Sequence, residues 1–425
     1  MSTWHNLTLQ DDGTVLVELL PSTDRFWPPE IIRDSPLCVS DVSGRTVVLT
    51  GAGSVWMYAH AAAVARAAGA SEIQVRTPYQ QGTSNDLEGS ESLLILAGRP
   101  EDRGVLLSVR LRTSPALSPT AINQLIEPRL EELSRLRPHE LALTGRASAE
   151  VYVRAARTAV DSGVKKITCW SARDGLVVIF DPEGNQIGHR VNRPDWMAQA
   201  MPRPVWPLVI GVAGDPNLGK SVFSSALDWY RERIGCDGWK LDCDGQAPTS
   251  PWYLSLVGRV PESKAEQLRK EHKRPWTPEM EMSIVEQLRK ARDVFSVLIA
   301  DLPGGDHRAI PPQRIPKGRE RIFAEVDALV LLERVGAPSE AEWFESLRPH
   351  GLHGRIAAVL VSRDPQSAPS LSVRKDGNLW RGEVTGLERS RLTKEAKELA
   401  EAFKPGFDQL WPALLEFARQ RPARH

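Results

Sequence analysis

The chain has 425 residues, with 54 Lys+Arg balancing 54 Asp+Glu, and a net charge of zero argues against a protein that coats long nucleic acid. At 41% hydrophobic and 25% charged it is globular rather than disordered, and long enough for about three domains. Its longest apolar runs, 205–213 and 357–361, fall far short of the ~20 residues of a membrane span, and the amino terminus lacks the pattern of a secretory signal. The four cysteines, Cys38, Cys169, Cys236 and Cys243, form neither a CxxC pair nor a metal-ligand spacing. Buried thiols in a cytoplasmic protein, with no membrane partner, are the expectation.

In chain order, a β-rich segment at 14–20 precedes a strand at 45–51 that ends in Gly51. An Ala-rich helix runs from there to Gly69, and strands follow at 72–76 and 93–97. The same order then recurs: a β-rich segment at 105–111, a strand ending in Gly145, a helix running to Gly163, and strands at 166–170 and 176–180. At an offset of 94, ten of 29 ungapped positions are identical, among them Thr50/Thr144, Gly51/Gly145, Ser54/Ser148 and Tyr58/Tyr152. This internal repeat predicts two small tandem βα domains, 1–104 and 105–200. The 13 Trp are spread along the chain and read mainly as core.

Pro194, Pro202, Pro204 and Pro207 mark 190–207 as a linker. Beyond it, apolar runs at 207–213, 295–300, 328–332 and 357–361 alternate with helical stretches. Such alternation predicts a mostly parallel sheet with flanking helices over 201–425. An amphipathic helix at 393–420, interrupted near Pro405, closes it.

The strongest motif lies at the start of this region. Gly214-Asp215-Pro216-Asn217-Leu218-Gly219-Lys220-Ser221 matches G-x-x-x-x-G-K-[ST] at every fixed position, after a strand and before a helix. Glycines let backbone N–H groups of Gly214, Asn217, Gly219, Lys220, Ser221 and Val222 gather on one anion at a helix N-terminus. Lys220 is expected to reach the β/γ-phosphates of ATP, and the Ser221 hydroxyl to ligate Mg²⁺. Asp301, ending an apolar strand before Leu302-Pro303-Gly304-Gly305, is the expected second holder of Mg²⁺. That D-x-P-G-G pattern resembles the kinase, GTPase and MinD class of P-loop proteins. Asp242 and Asp244 end a second strand and are read either as polarisers of a hydroxyl or water, or as solvated turn residues. Arg319 and Arg321 could reach over the phosphates, although a solvated helix face also fits them. Ser362-Arg363-Asp364 follows a strand at the position where related folds contact the base.

The segment Leu49-Thr-Gly-Ala-Gly-Ser-Val-Trp-Met-Tyr58 resembles the G-R-G-P-x-W-L strand–helix junction of the CRISPR-associated ring nucleases of type III systems. The second copy keeps only the Gly145-Arg146 start of it. The resemblance implies tandem ring-nuclease-type domains that bind cyclic tetra-adenylate or a related small oligoadenylate. It also implies paired subunits, hence a homo-oligomer or a pair supplied within one chain, and a fused C-terminal P-loop domain. Ligand contacts would fall to Thr50, Gly51, Gly53, Ser54, Gly145, Arg146 and Ser148. Where the family carries histidines this chain has Ala63, Arg66, Arg157 and Val160, and for the family's Asp it has Thr77 and Ser171. His60, one turn from the expected place, is then the local acid/base candidate beside a structural reading.

Three functions follow as expectations. The first is a type III CRISPR accessory that binds, and possibly degrades, cyclic oligoadenylate while coupled to an ATP·Mg²⁺ domain, with Lys220, Asp301, Asp242 and His60 as catalytic candidates. The second is a nucleotide or RNA 5′-hydroxyl kinase whose N-terminal half recognises the acceptor. The third is a MinD-like protein in which ATP drives assembly.

Overall fold

The computed structural model describes residues 3–20, 27–39, 42–51, 53–76, 84–87, 90–97, 104–111, 117–171, 174–200, 207–244, 261, 263–264, 267, 270, 275–305, 313–391 and 396–420. The chain is mixed α/β and divides into two compact units, Met1–Pro202 and Arg203–His425.

The first unit holds two sheets. One has the order β1 (His5–Leu9), β2 (Val15–Leu19), β3 (Thr46–Gly51), β4 (Glu72–Arg76). The other runs β10 (Arg190–Val191), β9 (Gly175–Phe180), β8 (Lys166–Ser171), β7 (Glu140–Thr144), β6 (Gly104–Arg110), β5 (Glu91–Ala97). In each, an antiparallel hairpin (β1–β2, β5–β6) leads into two further parallel strands. The strand read at 93–97 as the close of the first copy is therefore the opening strand of the second. The later counterpart, β9, instead pairs antiparallel with β8.

The two copies share one core and form a single unit rather than separate domains. Helices α2 (Val55–Ala67) and α4 (Ala149–Asp161) follow the Gly51 and Gly145 turns and pack against each other. Both bury alanines, Ala59, Ala61, Ala62, Ala63 and Ala65 on one and Ala155, Ala156 and Ala159 on the other. Short side chains let helix axes approach closely. Arg66 Nε donates to Asp161 Oδ1 at 2.5 Å and ties the pair. Trp56 joins the same core.

The segment read as a linker carries structure up to residue 200. β10 pairs with β9, and Trp196 and Met197 of helix α5 (Asp195–Ala200) are buried with Leu106, Ala142 and Leu176. The aromatic Trp196 supplies apolar area that outweighs the prolines' bias towards extended chain.

The second unit is a seven-stranded sheet, ordered β12 (Gly238–Asp242), β13 (Val297–Asp301), β11 (Leu208–Gly214), β14 (Ala328–Arg334), β15 (Ile356–Ser362), β17 (Leu379–Thr385), β16 (Ser370–Asp376). Every pairing is parallel except β16 with β17. β11 and β13 are buried along their whole length, as central strands covered on both faces must be. Around them lie α6 (Lys220–Arg233), α7 (Pro278–Arg292), α8 (Glu320–Ala324), α9 (Glu340–Leu347) and α10 (Ala396–Arg419).

α10 runs unbroken through Pro405 and Pro412, where the sequence predicts an interruption. Both prolines, and the residues four earlier whose carbonyls they leave unpaired (Glu401, Asp408), are exposed. Water can therefore satisfy those carbonyls. On the other face Leu399, Phe403, Phe407, Leu410, Trp411, Leu414 and Ala418 are buried. At about 1.5–3 kcal/mol for each large side chain, this face outweighs ~3 kcal/mol per proline.

Candidate functional site

The Gly-rich turn connects β11, in the middle of the sheet, to α6. Gly219 caps α6 in the left-handed region at φ +80°, and a Cβ there would stand 2.5 Å from Leu387 Cβ, so the position accepts only glycine. Asn217, also left-handed at φ +64°, is exposed at the tip. The turn thus presents the first N–H groups of a 14-residue helix at the carboxyl end of the sheet. Val222 is buried and its N–H donates to Gly219 O at 2.9 Å.

Lys220 folds back over this turn, and its Nζ donates to Asp215 O at 3.0 Å. Gly304 faces it, and a Cβ added there would stand 3.1 Å from the Lys220 Nζ. Burial pulls the Lys220 ammonium below its usual range, while Asp301, Asp244 and Asp215 oppose that and Arg389 adds to it. Asp301 is buried at the end of β13, in register with Val212 of β11 and Asp242 of β12. Two carboxylates therefore end adjacent strands, and that of Asp301 acts on the lysine. Lys240 Nζ lies 3.9 Å from Asp301 Oδ2. Burial, and then the Asp301 charge, push the Asp242 carboxyl up to about 6, against the pull of Lys240. Asp242 Oδ1 also accepts the Asp244 N–H at 3.0 Å.

Such a cluster suits a cation. Ser221 stands at the start of α6, half-buried, and Asp301 offers a buried carboxylate whose nearest lysine is at the limit of ion pairing. A hard divalent ion such as Mg²⁺ takes few protein oxygens, with phosphate and water completing its shell. Ser221 and Asp301 fit that role. Among the described residues no group of three or more His, Cys, Asp or Glu forms a metal cage.

Sequence reading missed Arg314. Its guanidinium is buried and bridges Asp215 of the turn and Glu342 of α9. Lys240 and Arg389 are further cations of the site that the motif does not include. No local pattern marks them, because all three arrive from later parts of the chain or from a neighbouring strand. Arg321 turns away, with its Nη1 on Met282 and its N–H on Glu281. Arg363 pairs with Glu383, and Asp364 caps its own turn through Gln366 N and Ser367.

The first unit carries two like junctions. Gly51 and Gly145 have φ +103° and +108°, and a Cβ at either would stand 2.2 or 2.1 Å from the carbonyl of Leu19 or Val109. Tyr58 and Tyr152 donate their hydroxyls to the Gly51 and Gly145 carbonyls at 2.8 and 2.9 Å. Gly53 lies tight against Leu19, and Thr50 donates to Arg76 O at 2.7 Å. Ser54 and Ser148 occupy the N-caps without capping through their side chains, and Ser148 Oγ is buried without a partner among the described residues. The Arg146 carbonyl accepts the Leu111 N–H at 2.7 Å.

His60 is a core residue rather than an accessible acid/base. It is 2% exposed, its Nδ1 lies 2.6 Å from Ile179 O, and it packs against Trp4. Burial, with a smaller contribution from His5, holds its imidazole down at about 4. Around it the helix buries Trp56, Met57, Tyr58 and several alanines. Thr77, the counterpart of the family's Asp, lies outside the described residues. Ser171 contacts Asp174. Of the basic residues in the second copy, Arg154 pairs with Glu127 and Lys166 with Glu140. Cys169 and Cys243 are buried, Cys236 is half-buried and Cys38 exposed; all four are free thiols. Among the described residues no helix is long and apolar enough to cross a membrane.

The site and sheet together define an α/β protein with a glycine-rich strand–helix turn at the carboxyl end of a mostly parallel sheet. No protein-family model matches the chain, and no curated protein does. Among solved structures it is similar to a DUF1611 family protein from Anabaena variabilis, at 14% identity and a TM-score of 0.28, covering 69% of this chain and 83% of that one. It is also similar to the MinD cell division protein of Aquifex aeolicus, at 14% identity and a TM-score of 0.28, covering 51% of this chain and all of the other. Likenesses this distant transfer no residue roles.

Proposed function

We propose that residues 203–425 bind a nucleoside triphosphate, ATP in the first instance, with Mg²⁺, and cleave or transfer its terminal phosphate. The observation that carries this reading is the position of Lys220, folded back on the Gly214–Ser221 turn with the carboxylates of Asp301 and Asp244 acting on it. Gathered N–H groups and a lysine stabilise phosphate charge, which is most of what phosphoryl transfer asks of a protein. When bound, Mg²⁺ would neutralise charge between the phosphates, held by Ser221 and Asp301. A second reading is transfer to an acceptor hydroxyl rather than to water; in either case Asp242, ending the strand beside that of Asp301, would be the carboxylate that takes the proton of the attacking group.

For residues 1–202 the proposal is binding of cyclic tetra-adenylate or a related oligoadenylate, in an accessory protein of a type III CRISPR system. The resemblance at residues 49–58 and the two matching Gly–helix junctions support it. With His60 in the core, sensing is favoured over cleavage. The test is mass spectrometry after incubating the full chain with cyclic tetra-adenylate and ATP·Mg²⁺. Unchanged ligand with measurable binding is the expected result for sensing, linear products mean cleavage, and phosphorylated products mean a kinase. Absence of binding at micromolar ligand, with and without ATP, would remove this half of the proposal.

A further inference from the structure

Arg319 is a half-buried charge whose Nε has no partner among the described residues. Its guanidinium lies over the Trp276 ring, 4.3 Å from the centroid, and Trp276 is fixed by donating Nε1–H to Gly318 O at 2.7 Å. The Nε atom is buried and has no hydrogen-bond partner among the described residues, and Arg319 makes no ion pair among them. The carboxylates that act on it from neighbouring elements, Asp244, Glu281 and Glu320, do so only at longer range. Glu281 is already engaged by the Arg321 N–H. Burying the Nε side of a guanidinium without a partner is costly, and stacking on one aromatic face offsets only part of that cost.

Its place in the fold says what that partner is. Five residues earlier in the same segment, Arg314 is anchored to Asp215 in the phosphate turn. The Asp244 carboxylate acts on both Lys220 and Arg319. Arg319 thus follows a segment anchored to the phosphate turn, shares the Asp244 carboxylate with the turn's lysine, and keeps a buried Nε unpartnered among the described residues.

We propose that Arg319 is a second anion-binding residue of this site, held on Trp276 to take a phosphate oxygen. That phosphate is either the terminal one of the nucleotide or one carried by the acceptor. The inference rests on the nucleotide reading above. Arginine suits the role because its planar fork can stack and bond phosphate oxygens at once.

The test compares wild type, Arg319→Ala and Arg319→Lys in equilibrium binding of ATP, of ADP, and of inorganic phosphate to the ADP-loaded protein. Lys220→Ala and thermal melting serve as controls. If the nucleotide supplies the phosphate, Arg319→Ala weakens ATP by about tenfold or more, leaves ADP unchanged, and Arg319→Lys recovers part of the loss. If the acceptor supplies it, ATP and ADP are unchanged and inorganic phosphate binding is lost. Equal affinities for all three ligands, whatever the melting shift, would reduce Arg319 to a packing residue and overturn the inference. Wild type that binds no ADP would instead sink the nucleotide reading, and the inference with it. Arg319→Lys keeps the stem on Trp276, so it decides the matter if the alanine variant does not fold.

Discussion

The two units build the same local device, a strand that ends in glycine and turns into a helix, and use it for different ends. At Gly51 and Gly145 the turn is closed on itself: a tyrosine seven residues on caps the glycine carbonyl, and no lysine stands in the turn. At Gly214–Ser221 the turn is longer, Lys220 lies back across it, and two carboxylates end the strands alongside. Charge convergence, rather than the backbone turn, separates a candidate reaction centre from a structural junction. The first unit places its one candidate acid/base in the core, whereas the second accepts the cost of burying ionisable groups at its mouth.

The largest effect is expected at the carboxylate pair. Asp301→Asn should lower Mg²⁺-dependent phosphate release by about 100-fold or more, with ADP affinity in EDTA unchanged. A variant that turns over normally would mean the cation is held elsewhere. Next come the closed turns. Gly51→Ala and Gly145→Ala each force a Cβ onto a backbone carbonyl at positive φ, and should destabilise the first unit by about 2–4 kcal/mol in urea melts. Nucleotide hydrolysis should be untouched by either, and its loss would show that the two devices are coupled.

His60 gives a pH signature to the first unit alone. Burial holds its imidazole at about 4, against 6.5 when unfolded, so its contribution is full above pH 6.5 and is lost as pH falls towards 4. Between pH 7 and pH 5 the loss is about 2 kcal/mol, readable in hydrogen exchange of residues 55–67. His60→Gln should flatten that dependence, and an unchanged slope would locate the titration elsewhere. The smallest effects are Tyr58→Phe and Tyr152→Phe, about 1 kcal/mol each and alike. A marked inequality would break the equivalence of the two junctions.

The parts legible in the sequence were those set by local pattern. The Gly214–Ser221 turn and Asp301 lie on contiguous segments whose glycines and apolar runs announce them. The repeat shows in ten identities, but its boundary does not, because strand 93–97 does not reveal by itself its pairing with β6. The continuity of α10 is hidden in the sequence, since proline's cost is local whereas the buried face that offsets it is tertiary. Arg314 was invisible for a similar reason: 99 residues separate it from Asp215. The burial of His60 is not legible either, because its Ala neighbours do not mark which helix face turns inward.

The most direct test of the central claim is equilibrium binding of ATP·Mg²⁺ to the full chain and to its Lys220→Ala variant. The account predicts saturable binding by wild type and a loss of at least about 100-fold in the variant, with the melting curve of the first unit unchanged. Equal affinity in the two proteins, or no binding by wild type at millimolar ATP, would contradict it.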